Sequence, residues 1–140
     1  DYGRLGHTEV VAVRVPDDRL LYFCEQYLRL FNSAGVRADP QDRGGEYRSA
    51  IGLPGGFNNP AVAVLQDFAG DKGMRLVPGK GDEGDTLKDK TIYVYDTEQF
   101  PFYPGELYHQ YHDDMVEKYG PEYAALRQPA VARGTLAVSR

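Results

Sequence analysis

Cysteine is almost missing from this chain: among 140 residues Cys24 stands alone. That excludes a disulfide within the chain and a zinc site built mainly of thiolates. Tryptophan is absent, and there are only 3 histidines. No run approaches the roughly 18 apolar residues that a membrane-spanning helix needs, so no membrane partner is expected. An excess of basic charge is lacking too. The formal net charge is −5, and nucleic acid is not an expected partner, because phosphate binding needs clustered Lys and Arg. What is present is ordinary for a globular domain, with 41% hydrophobic and 26% charged residues. The length suits one domain over residues 1–140. Asp1–Leu5 has neither the basic start nor the apolar core of a signal peptide. The abrupt ends at Asp1 and Arg140 suggest a longer parent.

Periodicity gives a coarse outline. Val10–Val15 is a β-branched run closed by Pro16 and two aspartates, which reads as a strand and a turn. Leu20, Phe23, Cys24, Tyr27, Leu28 and Phe31 follow at steps of three and four, one face of a helix. Asp17 or Asp18 can cap its start. Tyr47–Ile51 reads as a short strand. Asn59-Pro60 opens a second helix that runs to Ala69 and stops at Gly70. Gly73–Val77 and Thr91–Tyr95 read as strands joined by the glycine-rich loop Pro78–Lys90, so that residues 71–90 form a surface hairpin insertion. Pro104–Tyr119 reads as the last long helix. The alternation predicts an α+β fold, an α/β two-layer sandwich. Its sheet is expected to be mixed and mostly antiparallel, with helices packed on it as in a ferredoxin-like plait.

Several groups of residues invite a chemical reading. Gly79, Gly81 and Gly84 have the spacing of a dinucleotide loop, but Asp82, Glu83 and a following strand replace the helix N-terminus that a pyrophosphate needs. No cofactor is expected. Glu106, His109 and His112 fall three apart on one helix, too few ligands from one element for a stable metal site. No metal is expected either. The 11 tyrosines divide between core positions such as Tyr93 and Tyr95 and positions beside turns, such as Tyr47 and Tyr103, that can aim a hydroxyl at a ligand. Cys24 sits on the apolar face of its helix, where a thiol is a small buried hydrophobe.

Three segments are more specific in combination: Gly6-His7-Thr8-Glu9, then Asp42 through Tyr47-Arg48-Ser49-Ala50-Ile51, then Phe102-Tyr103-Pro104-Gly105-Glu106-Leu107-Tyr108-His109-Gln110. In this order they resemble the A-type peptide-methionine (S)-sulfoxide reductases, over about Leu5–Tyr111 with Asp71–Lys90 unmatched. The resemblance implies reduction of methionine sulfoxide to methionine, a protein-repair reaction of oxidative stress. A cysteine thiolate attacks the sulfoxide sulfur while a carboxylic acid protonates the departing oxygen. By position that acid is Glu9, a role that requires a carboxyl buried away from positive charge. Tyr47 matches the tyrosine that hydrogen-bonds the same oxygen, and Asp42 the nearby acid. His7, Glu46, Tyr103, Tyr108 and His109 are then substrate-binding or supporting residues.

The departures are as informative. The family's nucleophile lies in a Gly-Cys-Phe-Trp segment that would precede Asp1, so no residue of this chain is the nucleophile. Tyr119–Arg140 contains no resolving cysteine, Cys24 aligns where the family has no catalytic cysteine, and Gly105 and Leu107 replace the usual residues of the last segment. The implied partners are methionine sulfoxide, free or in peptides, and thioredoxin or another thiol reductant, in an intracellular setting (cytoplasm or an organelle). This chain alone is expected to be inactive. The alternative is a noncatalytic, diverged domain that binds methionine-containing peptides or a protein partner.

Overall fold

Thr91–Asp96 is the strand around which the sheet is built. In the computed structural model, which describes residues 6–39, 41–105 and 121–134, it lies between two shorter strands. With β1 as Ala50–Leu53, β2 as Arg75–Pro78 and β3 as Thr91–Asp96, the strand order is β1-β3-β2. Both pairings are parallel, with Ile51 beside Val94 and Leu76 beside Ile92. The expected mixed, mostly antiparallel, ferredoxin-like sheet is therefore incorrect for this chain. Residues 79–90 do not turn β2 back into β3 as a hairpin. A segment of that length can instead carry the chain back to the start of a parallel neighbour, which a tight turn cannot.

The helices cover one face. α1 (Leu20–Leu28) and α2 (Ala61–Gly70) pack against each other and, through Cys24, Leu28, Val62 and Leu65, against Ile92 and Val94. Because side chains alternate along a strand, Thr91, Tyr93 and Tyr95 point to the other face. There the 79–90 segment takes the place of a helix layer. The Tyr95 hydroxyl donates to Glu83 Oε2, and the Thr86 hydroxyl accepts from the Ser49 amide at 2.6 Å. Parallel strands need cover on both faces, and β3 has it: Thr91, Ile92, Val94 and Tyr95 are all buried. Each large apolar side chain withdrawn here contributes about 1.5–3 kcal/mol.

Local rules succeed at some boundaries and fail at others. Asn59 Oδ1 accepts the Ala61 amide at 2.9 Å, capping α2 as its side chain allows. Asp17 and Asp18 instead lie in a 3-10 turn (Asp17–Arg19) before α1, and neither makes a side-chain cap bond. The expected Val10–Val15 strand is not formed. Val10, Val11 and Val13 are largely exposed, and strand propensity has no sheet to act on there. The helix read over Pro104–Tyr119 lies almost wholly outside the described residues, as do Glu106, Tyr108, His109 and His112.

Contacts divide the chain into two units, Asp1–Pro101 and Phe102–Arg140. The described part of the second contains two short helices, α3 (Pro121–Ala125) and α4 (Arg127–Ala132), with Gly134 at φ +68° after the second. A positive φ at that point is the usual way to end a helix, and glycine reaches it without strain.

Candidate functional site

Two segments far apart in sequence converge on a turn before β1. Gly44 has φ +101°, and a Cβ there would lie 2.8 Å from the Glu46 carboxylate. The positive φ is what favours glycine here, since the Glu46 carboxylate is the free end of a flexible side chain and could move aside. The chain then makes a 3-10 turn over Gly45–Tyr47 and enters β1, which leaves Tyr47 at the sheet margin, outside the strand once expected to contain it. Arg37 pins this turn from below: its guanidinium donates to the Tyr47 carbonyl and, at 2.6 Å, to the Asp42 carbonyl. It also pairs with Asp85 at 3.5 Å.

Residues 6–9 lie alongside. The Glu9 amide donates to the Glu46 carbonyl at 2.7 Å. Arg48, only 3% exposed, donates from Nη1 to the Gly6 carbonyl at 3.1 Å and to Thr8 Oγ1 at 2.6 Å. Its Nε and Nη2 have no hydrogen-bond partner among the described residues.

The result is a cavity of about 280 Å³. Glu9, Asp42, Tyr47, Arg37 and Arg48 supply its polar side, and Tyr27, Leu30 and Phe31 an apolar wall. Tyr27 and Phe31 meet edge to face with centroids 5.8 Å apart, and the Tyr27 hydroxyl donates to the Ala50 carbonyl at 3.2 Å. Burial pushes the Tyr27 phenol well above the ordinary tyrosine range, so it stays a neutral donor.

The electrostatics of Tyr47 identify its neighbour. Its phenol is raised above the ordinary value, first by the negative charge of Glu9, then by burial and by its hydrogen bond to the Glu9 carboxylate, with smaller contributions from Glu46 and Asp42. An acidic cluster of this kind resists formation of a phenolate, which keeps Tyr47 a hydrogen-bond donor. Glu9 itself is exposed, so the free chain does not provide the burial that a general acid requires.

Of the residues singled out in the sequence, Glu9, Asp42 and Tyr47 come together in this cavity. Glu46 does not line it, but its carbonyl accepts the Glu9 amide and its charge acts on the Tyr47 phenol. His7 is exposed and does not line it. Tyr103 is 70% exposed and belongs to the other unit. Tyr108 and His109 lie outside the described residues. Arg37, Tyr27 and Leu30 were missed, since nothing in local periodicity ties an arginine of one loop to the carbonyls of another.

The glycine-rich segment is internally occupied. The Glu83 carboxylate accepts the amides of Lys80 and Gly81, the kind of donors a phosphate would need. Burial works to raise this carboxyl, but the Tyr95 hydroxyl and those amides together hold it below its usual range. Among the described residues no three metal-binding side chains cluster, and no helix is long and apolar enough to cross a membrane.

Cys24 is completely buried in the core and does not line the cavity; burial pushes its thiol up. It is therefore expected to resist an aromatic disulfide reagent in the folded chain and to react promptly once urea unfolds it. Rapid reaction in the native state would contradict this placement.

No protein-family model matches the chain. No solved structure matches it. A curated protein of Streptomyces griseus subsp. griseus, "Peptide methionine sulfoxide reductase MsrA", is 32% identical over 116 residues, covering 80% of this chain and 47% of that protein. The chain thus spans about half the length of the curated relative it matches. What joins them is a distant similarity to a methionine sulfoxide reductase over part of its length.

Proposed function

We propose that the cavity beside β1 receives the side chain of an oxidised methionine, and that the chain is a diverged domain of the sulfoxide reductase type. The observation that carries this reading is the meeting of Glu9, Asp42 and Tyr47 around one cavity, where the Glu9 charge is the largest influence on the Tyr47 phenol. Tyr27, Leu30 and Phe31 suit the apolar part of such a side chain, and the Tyr47 hydroxyl suits the sulfoxide oxygen, a strong acceptor with no proton of its own.

Reduction needs a thiolate, which forms a bond to the sulfoxide sulfur as the S–O bond breaks. Protons delivered to the oxygen let it depart as water. In total, one sulfoxide and two thiols give one thioether, one disulfide and water. Glu9 is the proton donor in this scheme, and the bound side chain provides the cover that the free chain lacks. The attacking thiol comes from outside this sequence, and a small thiol or a thioredoxin-type protein is the reductant. Cys24 has no part in it.

A noncatalytic role in binding oxidised methionine is the second reading. It is favoured by the burial of the lone thiol, which does not line the cavity, and by the exposure of Glu9. Both readings predict that the chain alone does not reduce a methionine sulfoxide peptide in the presence of dithiothreitol. Turnover that is lost in Cys24→Ser would overturn both assignments of that thiol.

Calorimetry tests the cavity directly. N-acetyl-methionine (S)-sulfoxide methylamide is expected to bind more tightly than its thioether counterpart. Tyr47→Phe should weaken the sulfoxide about 3- to 10-fold, as loss of one hydrogen bond does. Equal affinity for sulfoxide and thioether would refute the reading.

A further inference from the structure

We propose that Arg48 is a positioning residue, a buried guanidinium that holds residues 6–8 so that the carboxylate of Glu9 faces Tyr47. This rests on the reading of the cavity given above and assigns a role to a residue that the reading leaves without one.

The geometry is specific. A single nitrogen, Arg48 Nη1, bridges the Gly6 carbonyl at 3.1 Å and the Thr8 hydroxyl at 2.6 Å, reaching across 42 and 40 residues of sequence. Hydrogen bonds from a charged donor are roughly twice as strong as neutral ones. Arg48 is itself fixed, being 3% exposed and leading directly into β1 at Ala50. Beyond Glu9 the chain runs through Val10, Val11 and Val13, exposed and unpaired with any strand. Near Glu9, the Glu9 amide also donates to the Glu46 carbonyl, and Gly6 packs closely on the Gly81 carbonyl, where a Cβ would come to 2.7 Å. The remaining two nitrogens of Arg48 make no hydrogen bond among the described residues. Burying a charge so incompletely satisfied is costly, and an apolar side chain would fill the same space more favourably. Besides its grip on Gly6 and Thr8, the guanidinium works to lower the Tyr95 phenol, against the larger upward push of burial and Glu83.

The charges facing Tyr47 are those of Glu9, Glu46 and Asp42, and Glu9 is the largest influence. Tyr47 therefore reports where Glu9 is. The sign of the response separates the explanations. Loss of a nearby cation can only raise a phenol's pKa, whereas departure of the Glu9 carboxylate lowers it.

The experiment is a pH titration by NMR of the whole 140-residue chain carrying carbon-13 at the tyrosine Cζ, with the Tyr47 signal identified by its loss in Tyr47→Phe. Glu9→Gln should lower the Tyr47 midpoint. Arg48→Met should lower it to the Glu9→Gln value, the double variant should shift it no further, and Arg48→Lys should recover part of the wild-type value. An Arg48→Met midpoint equal to or above the wild type would overturn the proposal. If Arg48→Met does not fold, Thr8→Val removes one end of the grip. A lowered midpoint there supports the role, and an unchanged one refutes it. Failure of Glu9→Gln to move Tyr47 would instead undo the Glu9–Tyr47 pair, and with it the reading of the cavity. Arg48→Met unmoved beside a responsive Glu9→Gln would undo only the role of Arg48.

Discussion

Glu9→Gln is expected to slow sulfoxide reduction by about 10²-fold or more in a form of the protein that carries the attacking thiol, the range typical of a lost general acid. The amide keeps the size and a donor group of the carboxyl but cannot give up a proton to the departing oxygen. Tyr47 remains to hold the oxygen, so binding of the sulfoxide should change only a few-fold. That separation is the signature of an interaction made mainly in the transition state. Single-turnover kinetics read it without interference from recycling of the oxidised thiol. An unchanged rate would remove Glu9 from the chemistry and leave the binding role standing.

The second large effect concerns the fold. Leu65 is 1% exposed on α2, in the cluster that joins both helices to β3. Leu65→Ala should cost about 2–5 kcal/mol, the lost transfer energy plus the cavity left behind. A domain is typically stable by only about 5–15 kcal/mol, so the urea midpoint should fall sharply while the slope of the transition stays the same. Val11→Ala provides the contrast: Val11 is 85% exposed, and its loss should change stability by less than about 0.5 kcal/mol. Similar costs at the two positions would mean that the core is elsewhere.

The parts of this architecture that follow from local rules were readable in the sequence. Cys24 and Leu28 lie on the helical face their spacing marks out, and Asn59 caps α2 through its own side chain. The β-branched run at Thr91 forms the central strand. What local rules do not contain is the direction in which strands meet. The alternation of Ile92 and Val94 with Tyr93 and Tyr95 is the same in a hairpin and in a parallel pair. Only the path of residues 79–90, fixed by Glu83 on Tyr95 and Thr86 on Ser49, decides between them. Val10–Val15 shows the converse: without a partner strand no strand forms, and Val10, Val11 and Val13 stay exposed.

The site divides in the same way. Glu9, Asp42 and Tyr47 were singled out through motifs, and the three line one cavity. Arg37 could not be found so. Its role is to donate to the carbonyls of Asp42 and Tyr47, and any residue has a carbonyl. Nor does the identity of Glu9 reveal its exposure, which depends on how the unpaired segment after it runs.

The most direct test is a crystal structure of the chain with N-acetyl-methionine (S)-sulfoxide methylamide. The account predicts the sulfoxide oxygen within about 2.6–3.2 Å of the Tyr47 hydroxyl and the Glu9 carboxyl, the reach of a hydrogen bond that can pass a proton. It also predicts the S-methyl group against Leu30 and Phe31. A ligand bound elsewhere, or seated in the cavity with its oxygen turned away from both residues, would contradict it.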